Sequence, residues 1–188
     1  SPAKKLEAFL KKQPEAGRVF NAKYAALLKK AVEKLRQRMP PYWEQTKASI
    51  AKVLEHAAAK GVKLGLENRE AFEELPVDAD YAEFVAGFPA DAPVGYWHDT
   101  GHADIKQTMG LLKHREHLEK NAPRMIGFHL HDVNAAGDDH QPVGAGQIDF
   151  QMISEFWKPE HLLILELSPR VKVEDVAASK ERLEALIG

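Results

Sequence analysis

Residues 125–132 carry the sequence MIGFHLHD, in which a short apolar run ends in two histidines and an aspartate. The same design, an apolar run with polar residues at its end, recurs in VKLGLE at 62–67, VGYWH at 94–98 and LLILEL at 162–167. Helical patterns are predicted between and after these runs, at 81–88, 106–120, 150–156 and 173–186, and Asp149 is predicted as the N-cap of the third of these helices. Continuous apolar strands that alternate with helices are typical of a parallel sheet covered by helices, so the sequence predicts an α/β fold.

The first third of the chain lacks this alternation and is predicted to be helical over residues 1–61. Apolar spacing predicts three helices there, of which the second begins with Asn21 as its N-cap and the third stops at Gly61. We therefore expect a single domain over residues 1–188, in which this helical segment precedes four strand–helix units at 62–188.

The composition limits the classes of function. Of the 188 residues, 44% are hydrophobic and 29% are charged, which suits a globular domain with a core. The net charge of −2 gives no general attraction to nucleic acid or membranes, and no apolar run is long enough to span a bilayer. Without cysteine, any metal must be bound by His, Asp and Glu, a donor set that suits Mn, Mg, Co, Fe or Zn.

The cytoplasm is the default compartment. Because the sequence starts at Ser1 in charged helical sequence, we expect it to come from the middle of a protein.

Each predicted strand ends in a side chain that can bind a metal ion. In chain order these side chains are Glu67, Asp99, His129 and Glu166, with His131 beyond the third strand. The carboxyl ends of parallel strands meet at one edge of a sheet, where binding sites assemble. A buried carboxylate is costly unless it is paired or bound to a cation. One divalent cation at this edge would account for all four strand ends.

Each of these residues, taken alone, also has a purely structural explanation. Glu67 could be an acid at a helix N-terminus, and Asp99 could cap a loop. His129 could be a core histidine, although alternation places it on the same strand face as His131. Glu166 lies between two leucines and is the hardest to explain as solvent-exposed surface. The joint pattern therefore favours a metal site more than any single member does.

The motifs as a set resemble the xylose isomerase-like TIM-barrel superfamily, which contains sugar and sugar-phosphate isomerases and epimerases as well as AP endonucleases. The resemblance covers about 62–170, through the motifs GLENR at 65–69, WHDTGH at 97–102, HLHD at 129–132, GAGQIDF at 144–150 and LELSP at 165–169. It implies that one divalent ion is bound by Glu67, Asp99, His129 and Glu166. It also implies that Glu67 and Glu166 move a proton at a carbon beside a carbonyl, through an enediolate.

Further residues are expected to lie around the substrate. His102 matches the family histidine that contacts a substrate oxygen. Asp138 and His140 match positions that become extra zinc ligands in the endonuclease branch and otherwise lie near the substrate. We add His131, the second histidine at the end of the third strand, as a candidate for substrate contact. Arg69 and Arg170, next to the matched glutamates, are candidates for binding a phosphate or carboxylate.

The resemblance also implies that half of the barrel is missing. The four predicted strands match the fifth to eighth strands of the family, and a complete barrel typically needs about 250 residues. Either the sequence is a fragment that lacks an N-terminal half, or two half-barrels associate as a homo-oligomer. An isolated half would expose an apolar sheet edge and face, so we expect association or aggregation.

The leading hypothesis is a metal-dependent sugar or sugar-phosphate isomerase or epimerase, with a small sugar as its partner and neither nucleic acid nor membrane. The first alternative is a multinuclear zinc phosphodiesterase like the AP endonucleases, which Asp138 and His140 favour and the mild acidity of the chain opposes. The second alternative is a barrel fragment that binds a metal or ligand without turnover. The number of bound metal ions distinguishes the isomerase from the phosphodiesterase. About three zinc ions per chain would indicate the endonuclease type, and one ion would indicate the isomerase type.

Overall fold

Four parallel strands in sequential order form the sheet of this protein, whose computed structural model describes residues 2–17 and 19–187. The strands are β1 (Leu64–Glu67), β2 (Val94–Asp99), β3 (Met125–Leu130) and β4 (Leu162–Leu165). Glu67 pairs with Trp97, and Asp99 pairs with His129. Because neighbouring strands run in the same direction and in this register, their carboxyl ends lie at one edge of the sheet.

Eight α-helices accompany the sheet within the described residues. They are α1 (Pro2–Leu10), α2 (Ala22–Arg38), α3 (Pro40–Ala59), α4 (Tyr81–Ala86), α5 (Thr100–Thr108), α6 (His114–Asn121), α7 (Phe150–Ser154) and α8 (Val173–Ile187). Three precede β1, and the remaining five alternate with or follow the strands, as an α/β fold requires. The predicted caps are confirmed, since the Asn21 side chain accepts from Tyr24 N and that of Asp149 accepts from Met152 N.

The single helix predicted over residues 106–120 is wrong, because two helices occupy this part of the chain. The first begins directly after β2, where the Asp99 side chain accepts from His102 N and so caps α5. It ends before Gly110, whose φ of 73° lies in the left-handed region that interrupts a helix. The following helix, α6, starts at His114.

The two faces of the sheet differ in burial. Tyr96, Phe128 and Leu130 point toward the helices and are at most 1% exposed. On the opposite face, Leu162 is 58% exposed and Ile164 is 44% exposed. The helix-covered face therefore provides the core, and the other face, which we call the open face, lies uncovered beside the strand ends.

The N-terminal helices pack against the helical layer. The Tyr24 hydroxyl donates to the Met109 carbonyl just after α5, at 2.8 Å. Trp43 of α3 packs edge-on against Phe84 of α4 with ring centroids 4.8 Å apart. On α3, Leu54 and Ala57 are buried toward this layer, whereas Val53 is 55% exposed.

The predicted fold class is thus confirmed: an α/β fold with four parallel strands preceded by extra helices. No helix in the described part of the chain combines the length and apolar character needed to cross a membrane.

Candidate metal centre

Four side chains converge at the carboxyl ends of the four strands. His129 Nδ1 lies 3.0 Å from Glu67 Oε1 and 2.9 Å from Glu166 Oε2. The same nitrogen lies 3.9 Å from Asp99 Oδ2. One ligand atom from each of the four residues can be chosen so that all four atoms lie within 4.8 Å of one another. One cation could therefore contact all four side chains after small adjustments.

Asn68 fixes the spacing between β1 and β2 at this edge. Its side chain is fully buried, donates to the Asp99 carbonyl at 2.9 Å and accepts from the Asp99 N–H at 2.7 Å. This pair of bonds continues the sheet ladder through a side chain and keeps Asp99 beside Glu67. Asn68 belongs to the GLENR motif at 65–69, but only the pairing of β1 with β2 shows that it holds Asp99.

Asp99 is fully buried and accepts hydrogen bonds on both oxygens. Oδ1 accepts from His102 N at 2.8 Å, and Oδ2 lies 2.9 Å from His131 Nε2. Burial opposes ionisation, but the hydrogen bonds from His131 and from the His102 N–H outweigh it and lower the pKa of Asp99. Asp99 is therefore held as a carboxylate although its own side chain is fully buried.

His129 lies between the two glutamates and against an aromatic ring. Burial opposes its protonation, but the hydrogen bond to Glu67 and the charges of Glu166, Glu67 and Asp99 outweigh burial and raise its pKa. The indole of Trp97 packs edge-on against it at 5.1 Å between ring centroids. The imidazole is thus surrounded by negative charge, an environment that would equally attract a metal ion.

His102 lies at the rim of the group, in the first turn of α5. Its Nδ1 lies 2.9 Å from the Asn68 carbonyl, so Nδ1 carries the proton and donates to that oxygen. Its Nε2 lies 3.8 Å from Asp139 Oδ2. This nitrogen therefore faces the loop that follows β3.

His131 and His140 form a stacked pair beside the four side chains. Their rings lie 4.3 Å apart with an angle of 7° between them, and His140 Nε2 lies 3.8 Å from Glu166 Oε2. One ring nitrogen of His131, Nε2, lies 2.9 Å from Asp99 Oδ2. The other ring nitrogen, Nδ1, accepts the backbone N–H of His140 at 2.9 Å. Because Nδ1 accepts this hydrogen bond, it carries no proton, and the His131 ring is neutral.

Asp138 does not contact the histidines around the four converging side chains, whereas its neighbour Asp139 does. Asn134 accepts from the N–H of Asp138 and donates to its carboxylate at 2.9 Å, so Asp138 closes an exposed turn around Gly137. Asp139 Oδ1 instead lies 2.9 Å from His140 Nδ1. The family motif predicts Asp138 near the substrate, but the structure places Asp139 beside the histidines instead.

The two predicted arginines differ in position. Arg69 Nη1 lies 3.6 Å from Glu67 Oε2, and its Nε lies 3.5 Å from Glu74 Oε1, so its half-exposed guanidinium is adjacent to the four side chains. Arg170 is exposed in the loop after β4, where its backbone N–H approaches Ser168 Oγ at 3.4 Å.

Asp132 organises the glycine loop beyond β3. It is fully buried and accepts from the backbone N–H groups of Val133, Gly144 and Gly146 at 2.9 to 3.0 Å. The Gly-Ala-Gly segment is therefore tied to a carboxylate of the protein itself, which accounts for its backbone donors without a bound phosphate.

The described residues contain three groups that could bind a metal ion. Besides the four converging side chains, a second group consists of Asp99, His131, His140 and Glu166, and a third of Glu70, His102 and Asp139. Glu70 and Asp139 were not predicted from the sequence. Glu70 lies three residues beyond Glu67 in an exposed loop, and no pattern distinguishes it from other surface acids.

A protein-family model described as the xylose isomerase-like TIM barrel matches residues 3–186. The chain belongs to this family. The match covers nearly the whole sequence, the N-terminal helices included, and confirms the resemblance drawn from the motifs. No sequence among the curated proteins matches the chain.

Several solved structures share the fold of this chain. A D-tagatose 3-epimerase-like protein is 24% identical, with a TM-score of 0.61, and is matched over 77% of this chain and 54% of its own. D-Psicose 3-epimerase with D-tagatose from Clostridium cellulolyticum H10 is 16% identical, with a TM-score of 0.61 and coverages of 77% and 56%. A xylose isomerase-like TIM barrel protein from Mycobacterium smegmatis in complex with magnesium is 18% identical, with a TM-score of 0.51 and coverages of 78% and 51%. The chain therefore spans about half the length of these neighbours, and the likeness shows the fold.

Proposed function

We propose that this chain carries the catalytic half of a divalent-metal-dependent sugar or sugar-phosphate isomerase or epimerase. The observation that carries the proposal is the convergence of Glu67, Asp99, His129 and Glu166, whose donor atoms lie within 4.8 Å of one another at the ends of adjacent strands. The names of two structural neighbours, a D-tagatose 3-epimerase-like protein and a D-psicose 3-epimerase, support a sugar as the substrate class.

The donor set fits a divalent cation. Three carboxylates around one imidazole repel one another, and one of them, Asp99, is fully buried, so a cation would relieve an unfavourable concentration of charge. Mixed nitrogen and oxygen donors suit Mn, Mg, Co, Fe or Zn. We assign Glu67, Asp99, His129 and Glu166 as the residues that would bind one such ion.

The two glutamates are suited to moving a proton. Their side chains are 24% and 41% exposed, so both can be reached from the open face, and they contact His129 Nδ1 from different strands. One glutamate would remove the proton from a carbon beside a carbonyl, and the other would return a proton to the same or the neighbouring carbon. A bound divalent cation would supply positive charge that stabilises the oxygen anion produced by proton removal.

Three rim residues are assigned to the substrate. His102 and His140 present ring nitrogens near Asp139 and Glu166, where they can hydrogen-bond sugar hydroxyls. Arg69 lies beside Glu67 with its guanidinium half exposed and can bind a phosphate or a further hydroxyl. Arg170 keeps its proposed role only for a substrate long enough to reach the loop after β4.

Replacement of Glu166 by glutamine tests the proposal directly. The amide keeps the shape of the side chain but cannot accept a proton, so turnover of a panel of aldose–ketose and C3-epimer pairs should fall by about 10²- to 10⁴-fold. Glu160→Gln, at an exposed glutamate before the same strand, is the matched control and should keep full turnover. Undiminished turnover in Glu166→Gln with retained secondary structure would refute the assignment.

A phosphodiesterase of the AP-endonuclease type is the second candidate. The group formed by Glu70, His102 and Asp139 favours it, because it offers an additional metal position near the proposed one. Metal analysis separates the two functions. About one ion per chain, together with sugar turnover, supports the isomerase, whereas about three zinc ions and cleavage at abasic DNA sites support the phosphodiesterase. One bound ion without turnover of any substrate in the panel would indicate a binding role.

A further inference from the structure

His131 lies directly behind Asp99 and is shielded from solvent. Its side chain is 0% exposed, and its Nε2 lies 2.9 Å from Asp99 Oδ2. Its Nδ1 accepts the backbone N–H of His140 at 2.9 Å. A side chain without solvent exposure cannot contact a substrate on the open face, so the predicted substrate role does not fit the position of His131.

The backbone contact determines which nitrogen of the ring carries the proton. A peptide N–H can only donate, so Nδ1 of His131 must offer its lone pair to His140. The proton of the neutral ring then lies on Nε2 and points at Asp99 Oδ2, which makes His131 the donor of that hydrogen bond. A nitrogen that carries a proton cannot bind a metal ion, although His131 belongs to the second group of candidate ligands.

The surrounding backbone holds the ring in this orientation. Thr100 Oγ1 donates to the His131 carbonyl at 2.7 Å and accepts from its N–H at 3.1 Å. The ring packs against Gly101 so closely that a Cβ there would lie 2.2 Å from His131 Cε1. The start of α5 therefore leaves room for this imidazole only because residue 101 has no side chain.

The far side of the ring supports an unusual backbone conformation. His140 has a φ of 54°, in the left-handed region that non-glycine residues rarely adopt, and its ring stacks on that of His131. Its carbonyl accepts from Ser168 N at 2.9 Å. His131 thus contacts Asp99, a proposed metal ligand. It also contacts His140, which approaches Glu166, another proposed ligand.

We propose that His131 is a positioning residue that orients the Asp99 carboxylate and the His140 peptide, and thereby sets the affinity of the site for a divalent metal. The inference rests on the proposed function, since it assumes that Asp99 is a ligand. With Oδ2 held by His131 and Oδ1 by His102 N, the Asp99 carboxylate cannot rotate, so its remaining lone pairs stay directed at the site. Removal of such a supporting hydrogen bond typically weakens metal binding by about 10- to 100-fold.

Calorimetric titration of the 188-residue chain with Mn²⁺ tests the proposal. His131→Leu removes the donor and should raise the Kd by about 10- to 100-fold. His131→Gln keeps an N–H that can reach Asp99 and should bind Mn²⁺ nearly as tightly as the unchanged chain. Gly101→Ala, which displaces the ring without altering it, should behave like His131→Leu. His114→Gln, at a buried histidine of the helical layer, is the control and should leave the Kd unchanged.

A second readout makes the proposal independent of metal binding. In the metal-free chain, ¹⁵N NMR of labelled histidines should show His131 protonated at Nε2 and unprotonated at Nδ1. The opposite tautomer would overturn the proposal, and so would a Kd unchanged in His131→Leu. A stoichiometry that falls from two ions to one in that variant would also overturn it, because His131 would then be a ligand. An unchanged chain that binds no divalent ion would refute the proposed function instead, while the NMR result would still decide the orientation of the ring.

Discussion

A chain of buried neutral histidines makes the stability of this protein sensitive to acid. Tyr96 Oη lies 2.9 Å from His98 Nδ1 and 2.7 Å from His117 Nε2, and His98 Nε2 lies 2.8 Å from His114 Nε2. Burial is the main cause that lowers the pKa of all three histidines, to about 3 for His114 and about 4 for His117. The folded protein therefore keeps them neutral at pH values where the unfolded chain takes up protons.

The sign and size of the effect follow from this difference. A depressed pKa in the folded state means that the unfolded state binds more protons below about pH 6.5, so acid favours unfolding. Stability from these histidines is fully present above about pH 6.5 and is lost progressively as the pH falls toward their folded-state values. Between pH 7 and pH 5, each histidine that stays neutral in the folded state lowers the free energy of unfolding by about 2 kcal/mol.

His129 of the proposed metal site acts in the opposite direction, so the experiment compares two chains. The pKa of His129 is raised, and its contribution to stability is present at low pH and is lost as the pH rises through that value. His114→Gln shares His129 with the unchanged chain, so subtraction removes its effect. The glutamine amide can still hydrogen-bond to His98, which preserves the packing of the helical layer.

Urea unfolding followed by circular dichroism at pH 7 and pH 5 gives the required numbers. The unchanged chain should lose about 2 kcal/mol more between the two pH values than His114→Gln loses. His56→Gln, which removes an exposed histidine of α3, is the control and should follow the unchanged chain. Identical pH dependence in the unchanged chain and His114→Gln would refute the argument, because His114 would then gain protons equally in both states.

Two further predictions concern the metal site and the open face. Mn²⁺ at 100 times its Kd should stabilise the unchanged chain by about 2.7 kcal/mol, which is measured as a higher Tm. The Asp99→Asn variant should not show this increase in Tm. An equal increase in both chains would show that Asp99 is not a ligand. The exposed Leu162 and Ile164 should make the chain associate as its concentration rises, and the double substitution to serine should reduce association in sedimentation experiments. Val173→Ser, at an exposed valine of α8, is the control, and a monomer at all concentrations would contradict this prediction.

The fold was largely predictable because its signals are local. Apolar runs identified all four strands, and Asn21 and Asp149 marked helix starts through their capping chemistry. The region between β2 and β3 was not predicted correctly. There Asp99 is both the end of a strand and the cap of α5, and the break at Gly110 depends on a left-handed backbone conformation that glycine permits but does not require.

The site was predictable only as far as strand order could place it. The four converging side chains follow from parallel strands whose ends meet at one edge. The choice of Asp139 over Asp138 depends on the turn that Asn134 closes, which a motif match does not reveal. The stacking of His131 on His140 joins two segments through a left-handed non-glycine residue, and sequence spacing carries no signal for that geometry.

Anomalous diffraction from crystals of the chain grown with Mn²⁺ would locate the ion itself. One strong anomalous peak should lie within bonding distance of Glu67, Asp99, His129 and Glu166, with His131 behind Asp99 and not bound to the ion. A peak bound instead by Glu70, His102 and Asp139, or no peak at the strand ends, would refute the assignment of these four ligands.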